Sequence, residues 1–393
     1  MTIRLFLFLL SGIIVFQLSS CSDAPSNFGV DILNSDFIVL DTLDTTKDSV
    51  AQTSSTFKTV IPLGASQNLL VGKKDNVNAS FLIKFLFPLT DSIKTDISSG
   101  AVTIIEAKVN LINTYQFGDS SAAFDITAHN VTSDWSSIGF TSDSLSNLFY
   151  DFANVSSSLN ITDSIKTFNL DVNLVESWFQ SVIDTTLNNN KGLYVKSSSI
   201  SQRVLGFQAK TSFLINQPEL QVIVNKPGVY TDTLTFFPEA DVSIIDGNLP
   251  AIGPENIALQ SGIVVNSKLW FDISSLPKNA IINRAKLFLK TDSLLTIKGT
   301  NLIDAISVSN IVDSSTKIID STLSQEILLP DGNSYSGLVT TFVQTWLNTG
   351  KNEGMLLAPS GGIDGVDLFV FKGSKVTVFA DRPKLEIIYT TKK

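Results

Sequence analysis

The chain has 393 residues, with 28 basic and 37 acidic side chains, one histidine and one cysteine. Its net charge of −9 argues against nucleic acid or anionic lipid as a main partner, because both bind basic patches. One cysteine excludes an internal disulfide, and a single histidine excludes the several His or Cys ligands of a usual zinc or copper site.

Residues 1–20 have the pattern of a cleaved export signal. Arg4 supplies the positive charge, and the run from Leu5 to Phe16 is apolar apart from Ser11 and Gly12. At about 1.5 Å per residue, a helix of this run is about 18 Å long, whereas a hydrocarbon core is about 30 Å thick. The run therefore predicts an export signal rather than a transmembrane anchor.

The segment "LSSC", which ends at Cys21, resembles the lipobox of bacterial lipoproteins. The resemblance implies a diacylglyceryl group on the Cys21 thiol, cleavage before it and acylation of the new amine, hence a lipid anchor. In that family Ser22 after the cysteine is compatible with sorting to the outer membrane, and Asp23 resembles the acidic surface-export signal of some Bacteroidota lipoproteins, so we expect the protein at the cell surface. The alternative is a free or buried cysteine after an apolar run, but a lone thiol in an exported chain has no disulfide partner.

The mature chain has the pattern of an all-β protein. Short runs of alternating apolar and polar residues are separated by Asn, Asp, Gly and Ser clusters, and no long segment of helical period is present. This pattern predicts antiparallel β-sandwich structure.

An internal repeat divides the chain into two copies. Five segments of the first copy match five of the second in the same order, with an offset that falls from 191 residues at the first pair to 165 at the last. We expect a lipidated tether at 21–35, a first sandwich domain at 36–225 and a second at 226–393. The matched segments are 38–43 and 229–234, 80–87 and 267–273, 106–111 and 284–289, 174–183 and 338–347, and 217–224 and 382–389.

Within each copy, one strand and one helix define the predicted core. The alternation in "SFLIKFLF" places Phe81, Ile83, Phe85 and Phe87 on one face, and Leu269, Phe271 and Ile273 repeat that face. The blocks 174–183 and 338–347 carry an apolar stripe at helical spacing, which predicts one short amphipathic helix per copy. Trp178 and Trp346 belong to these stripes and are predicted core residues.

The second copy resembles the DNRLRE-type domain of exported bacterial proteins. The resemblance rests on "KLWFDISSLPKNAIINRAKLFLK", "LVTTFVQTWLNTGKNEGMLLAPS" and "RPKLEIIYTT" and covers most of residues 256–390; the first copy matches more loosely. It implies two tandem antiparallel β-sandwich domains, jelly-roll-like in topology, of a class counted among carbohydrate-binding modules. These motifs are structural rather than chemical, so they indicate the fold more than the ligand.

Trp270 is the first candidate for ligand binding. It replaces Lys84 of the first copy and lies between the core positions Leu269 and Phe271, so it points away from the face that they share. An exposed tryptophan there could stack on a sugar ring. The alternative is that another sheet or the neighbouring domain covers this face.

Three further aromatic residues are weaker candidates. Trp135, in "TSDWSS", could bind ligand or close a loop against the sheet. Tyr115, in "NTYQFGD", and Tyr335, in "GNSYSG", lie in segments that we interpret as turns.

No catalytic site is predicted. A Ser-His-Asp triad would have to use His129, yet no Gly-x-Ser-x-Gly motif occurs. No cofactor is expected; Asp and backbone oxygens could hold a structural calcium ion, although "PDGNS" (330–334) and "GGIDGVD" (361–367) are more typical of turns.

The sequence thus predicts a non-catalytic, lipid-anchored envelope protein that binds polysaccharide through a β-sandwich. The alternative is a structural or adhesive lipoprotein that docks other envelope proteins and binds no sugar. A divergent polysaccharide-cleaving enzyme is the third and least favoured interpretation.

Overall fold

Two curled antiparallel β-sheets form the protein, in agreement with the predicted all-β class. The computed structural model describes residues 38–161, 165–210, 216–300 and 303–392. The predicted export signal, Cys21 and the predicted tether lie outside these residues.

The first sheet has ten strands, β3 to β12, in the order β11-β10-β5-β9-β3-β4-β8-β6, with β7 paired to β5 and β12 to β4. We call it the ten-stranded sheet. Its strands are β3 Asn68–Lys74, β4 Val77–Phe85, β5 Thr103–Phe117, β6 Ile126–Asn130, β7 Ile165–Asn169, β8 Leu193–Ser197, β9 Val204–Gln208, β10 Glu219–Lys226, β11 Tyr230–Phe236 and β12 Pro238–Gly247.

The second sheet has twelve strands in the order β1-β22-β15-β19-β18-β16-β20-β14-β13-β21, with β2 paired to β14 and β17 to β16. We call it the twelve-stranded sheet. Its strands are β1 Ile38–Asp44, β2 Gln52–Lys58, β13 Asn256–Gln260, β14 Val265–Phe271, β15 Ile281–Lys290, β16 Ile306–Asp313, β17 Ile318–Ile319, β18 Glu326–Asp331, β19 Ser334–Leu338, β20 Met355–Pro359, β21 Leu368–Lys372 and β22 Lys384–Lys392.

Each sheet curls around a hydrophobic core of its own, and the predicted core faces are confirmed. The core of the ten-stranded sheet contains the four alternating residues of "SFLIKFLF", and that of the twelve-stranded sheet contains their three counterparts. All seven side chains are buried: Phe81, Ile83, Phe85, Phe87, Leu269, Phe271 and Ile273.

Both predicted helices are present, and a third was missed. Helix α2 (Val172–Ile183) buries Trp178 and helix α3 (Thr340–Thr349) buries Trp346, as expected. The expectation of one helix per copy is wrong, because α1 (Asp91–Ser98) also forms, capped by the Thr90 side chain. The predicted apolar stripe of α3 begins too early in the sequence, because Leu338 is the last residue of β19 and is 53% exposed. Among the described residues, no helix is long and apolar enough to span a bilayer.

The strand pairing does not follow the predicted boundary at residues 225/226. Strands β1 and β2, from the predicted first domain, pair with β22 and β14 of the twelve-stranded sheet. Strands β11 and β12, from the predicted second domain, pair with β10 and β4 of the ten-stranded sheet. Each predicted domain therefore contributes its first two strands to the other sheet.

A third hydrophobic cluster joins the two sheets. It brings Leu70 of β3 and Tyr115 of β5 together with Ala258 of β13 and Val370 of β21. We call this cluster the inter-sheet core.

Candidate ligand-binding cleft

Trp270 lies on the outer face of the twelve-stranded sheet. Its strand, β14, pairs with β2 on one side and β20 on the other. The neighbouring Leu269 and Phe271 are fully buried in the core, whereas the Trp270 side chain is half-buried. Because successive side chains of a strand alternate between faces, the indole points away from the core.

The turn after α3 holds the Trp270 ring in place. The indole N–H donates to the Asn352 carbonyl at 3.0 Å, and the Asn352 side-chain amide donates to the Phe271 carbonyl at 2.7 Å. Gly354 completes this turn with a φ of +91°, and a Cβ atom there would lie 2.6 Å from the Leu269 carbonyl oxygen. The turn therefore rests directly on β14, and its shape fixes the indole.

A cleft of about 920 Å³ opens beside Trp270, between residues 272–278 and the end of α3. This volume is in the usual range for a small-molecule site. Its apolar lining comes from Trp270, Ile273, Leu276, Trp346 and Leu347, and its polar lining from Asp272, Ser274, Lys278, Asn348, Thr349 and Asn352.

The two tryptophans of the cleft have different roles. Trp346 is 2% exposed, and its indole N–H donates to the side-chain oxygen of Asn310 at 2.7 Å, so it forms part of the wall. Trp270 alone of the two has a ring partly open to solvent. An indole combines a large apolar face with a polar N–H, which suits it to ligands that have both apolar and polar surfaces.

The polar rim of the cleft carries one carboxylate and one ammonium group. Hydrogen bonds from the Ser274 side chain and backbone hold the pKa of Asp272 below its usual range, so this carboxylate is ionised at neutral pH. Lys278 is exposed at the same rim. The cleft can therefore both accept and donate hydrogen bonds around an apolar floor.

The ten-stranded sheet repeats the turn and strand of this site without an aromatic residue at the strand position. The Asn190 amide donates to the Phe85 carbonyl at 2.9 Å, and Gly192 packs against Lys84 with a φ of +87°. Lys84 occupies the position equivalent to Trp270 and pairs with Glu239 at 3.0 Å. The repeated Asn-x-Gly of 190–192 and 352–354 was a signal for the role of Asn352, which our sequence analysis missed.

Trp135 packs on the outer face of the ten-stranded sheet. Its indole N–H donates to the Lys191 carbonyl at 2.7 Å, and its ring meets that of Phe140 edge-on, with the centroids 6.5 Å apart. The ring is half-buried against a cluster that includes Leu82 and Val131. The structure thus places it where the loop-closing alternative expected it.

Tyr115 and Tyr335 do not lie in turns, so this part of the sequence interpretation is wrong. They belong to β5 and β19, and they are 2% and 3% exposed. The Tyr115 hydroxyl accepts from the Val366 N–H at 3.0 Å, and the Tyr335 hydroxyl bonds the Asp304 carboxylate. Burial is the main cause of the raised pKa of both phenols. Neither ring has a face that could stack on a sugar.

His129 is a buried residue of β6, 4% exposed. Its Nδ1 lies 3.1 Å from the carbonyl oxygens of both Asp151 and Ala153, and its Nε2 lies 3.0 Å from the Thr127 hydroxyl. Burial, and then the charge of Lys196, lowers the pKa of this imidazole. These contacts fix the ring within the sheet.

The described residues contain no group of three or more His, Cys, Asp or Glu side chains placed to hold a metal ion. Both segments interpreted as turns do form turns: "PDGNS" connects β18 to β19, and "GGIDGVD" turns before β21.

Comparison with known proteins gives no relative for this chain: no family model, no curated protein and no solved structure matches it. The resemblance to the DNRLRE-type domain stays a prediction.

Proposed function

We propose that this protein is a lipid-anchored, non-catalytic protein of the outer membrane that binds polysaccharide at the cell surface. The observation that carries the proposal is the half-buried ring of Trp270, fixed by Asn352 in a cleft of mixed polarity. A rigid aromatic ring binds at a low cost in conformational entropy, and the polar rim offers partners to sugar hydroxyls. In this proposal each curled sheet is one jelly-roll-like unit of a tandem duplication.

The anchor of the proposal is Cys21. Each buried CH₂ group contributes about 0.8 kcal/mol, and stable anchoring requires at least two acyl chains. Triacylated Cys21 would meet that requirement. Intact mass measurement of the protein from native membranes tests this: we expect a mature chain that begins at an acylated Cys21, and release into the soluble fraction of a Cys21→Ser variant. An unmodified N-terminus on membrane-bound protein would contradict the anchor.

Affinity electrophoresis of residues 22–393 through gels that contain neutral or acidic polysaccharides tests the binding site. We expect one polymer to retard the protein and Trp270→Ala to weaken binding about tenfold, or about 1.4 kcal/mol. Lys84→Ala, at the equivalent position of the other sheet, is the matched control and should bind as the unmodified protein does. Trp135→Ala tests the second candidate in the same gels. Retardation that Trp270→Ala leaves unchanged would exclude the cleft.

The second candidate function is docking of another envelope protein. It is favoured by exposed apolar side chains in the segment that follows Trp135: Ile138, Phe149 and Phe152 are 89%, 69% and 87% exposed. Large exposed apolar residues are typical of protein interaction sites when they lie together. This function predicts no retardation by any polysaccharide, together with a cross-linked partner on intact cells that is lost in a Phe149→Ser/Phe152→Ser variant.

A further inference from the structure

Residues 38–58 complete a sheet whose other strands all begin at residue 256 or later. Strand β1 pairs along its whole length with β22, from Ile38 opposite Lys392 to Asp44 opposite Glu386. Strand β2 pairs in the same way with β14. In the ten-stranded sheet, β11 and β12 have the corresponding positions: β11 pairs with β10, and β12 pairs with β4. Strand β11 follows β10 directly in a hairpin. We call residues 38–58 the donor segment.

The donor segment is held at a few defined points in addition to its backbone ladders. Leu43 enters the core of the twelve-stranded sheet. Thr45 is fully buried and exchanges two hydrogen bonds with Leu385: its N–H donates to the Leu385 carbonyl at 3.1 Å, and its hydroxyl accepts from the Leu385 N–H at 2.9 Å. Further along, the hydroxyls of Thr56 and Ser267 lie 2.9 Å apart. These contacts set the register of the segment.

The second strand of the segment is less buried than the first. No residue of β2 is buried, whereas its counterpart β12 has six buried residues, five of them consecutive. After β2 the chain has no regular secondary structure at residues 59–62, which include Pro62, and it is fixed again where Leu63 enters the inter-sheet core. The donor segment is therefore a two-stranded strip that pairs with β22 and β14 and is joined to the rest by a short connection.

We propose that the sides of β22 and β14 that pair with β1 and β2 form an acceptor site that also binds the donor segment of a second copy of this chain. The ladders and the Leu43 and Thr45 contacts are the same whichever copy supplies the segment. Because the connection is short, the effective concentration of a chain's own donor segment at its own acceptor site is on the order of millimolar. A second copy at a similar concentration competes, and reciprocal exchange links two copies into a symmetric dimer.

Cysteine pairing across the β1–β22 ladder tests the exchange. Leu40 lies opposite Thr390, and both positions are at least partly open to solvent. Cross-strand Cα distances of about 4.5–5.5 Å are within the range that a disulfide spans. Residues 22–393 contain no thiol, so a Leu40→Cys chain and an isotope-labelled Thr390→Cys chain are refolded together at about 1 mM and oxidised. We expect a disulfide-linked dimer with one chain of each kind.

The control mixture pairs Thr390→Cys with Leu294→Cys, a position that is 93% exposed and outside the ladder. The mixed dimer should exceed this control at least tenfold, and a yield equal to the control would overturn the proposal. The double variant Leu40→Cys/Thr390→Cys should close its disulfide within one chain at low concentration, which verifies that the thiols fit the ladder. An unmodified chain that stays monomeric by light scattering at about 1 mM after refolding would also overturn the exchange.

Discussion

A single glycine allows the turn that supports Trp270. Gly354 has a positive φ, and a Cβ atom there would clash with the Leu269 carbonyl oxygen. We expect Gly354→Ala to lower the free energy of unfolding by more than about 1 kcal/mol, because both the backbone conformation and the space oppose a side chain. It should also weaken ligand binding, since the clash displaces the turn from β14.

Gly350→Ala is the matched control for this prediction. Gly350 also has a positive φ, but a Cβ atom there meets no atom within 4 Å. Urea denaturation of both variants separates the conformational cost, which the two share, from the steric cost, which only Gly354 has. Equal losses of stability would show that the turn does not press on β14.

Two buried tryptophans differ in whether the indole N–H has a partner. The Trp346 N–H donates to Asn310, which is itself buried, whereas the Trp178 N–H has no hydrogen-bond partner among the described residues. Replacement by Phe removes a similar volume at both sites, but only at Trp346 does it leave a buried acceptor, the Asn310 side-chain oxygen, without its donor. We therefore expect Trp346→Phe to cost about 1–3 kcal/mol more than Trp178→Phe in denaturant unfolding. A larger cost for Trp178→Phe would contradict this assignment.

Two buried aspartates should give opposite dependence of stability on pH. Burial raises the pKa of Asp367, against the hydrogen bond from the Gly299 N–H. A raised folded-state pKa means that the native state favours the protonated acid. The stability that protonated Asp367 contributes is therefore present below the unfolded-state pKa of about 3.9 and is lost as pH rises through the folded-state pKa. Asp367→Asn should gain stability relative to the unmodified protein between pH 3 and pH 7.

Asp44 should behave in the opposite sense. Burial alone would raise its pKa, but hydrogen bonds from Thr46 and the charges of Lys384 and Lys47 outweigh burial and lower it. The stability that this carboxylate contributes is present above the unfolded pKa and is lost as pH falls through the folded one. Asp44→Asn should therefore lose stability relative to the unmodified protein over the same pH interval. Urea midpoints of the three proteins check both signs, and parallel pH curves would refute them.

At the scale of elements, the sequence predicted best where the hydrophobic period was long and regular. The alternation in β4 and the stripe of α2 specify one buried face each, and both faces are buried as expected. Helix α1 has only eight residues and one buried side chain, Ile97, so its period was too short to recognise. Tyr335 was predicted to lie in a turn because turn-forming residues precede it, but the turn ends before Tyr335 and the residue belongs to β19.

The predicted repeat matches strands of similar sequence but does not indicate the sheet that each strand joins. β1 and β11 are similar in sequence, and each pairs with the final strand of a copy, β22 or β10. The similarity of the two strands reflects this shared position. Which strand each of them pairs with depends on the chain topology, and the alternation of apolar and polar residues does not specify it. The cleft was predictable only in part. The alternation of β14 indicated that Trp270 points away from the core, whereas the role of Asn352 depends on contacts between a turn and a strand that are distant in sequence.

At the scale of the whole molecule, the two sheets share contacts that should make them unfold together. The inter-sheet core is hydrophobic, and polar contacts accompany it: the Gln67 N–H donates to the Asp364 carboxylate at 2.8 Å, and the Asn68 amide donates to the Asp364 carbonyl at 2.7 Å. The connection after the donor segment also crosses here, since Leu63 follows β2 and packs in the same cluster. A ligand bound at the cleft would then stabilise both sheets by mass action.

Tyr115 is the residue through which this coupling can be tested. A Cβ atom at Gly299 would lie 2.5 Å from its ring, and one at Gly365 would lie 3.0 Å from it, so the two glycines enclose the ring. Tyr115→Ala should cost about 3–5 kcal/mol as a truncated buried aromatic residue and divide a single calorimetric transition into two. Tyr115→Phe keeps the ring and removes the hydroxyl that accepts from the Val366 N–H and donates to the Asp367 carboxylate, so one transition should persist at a cost of about 1–3 kcal/mol. If Tyr115→Ala still unfolds in one transition, the other contacts of the inter-sheet core couple the sheets without this ring.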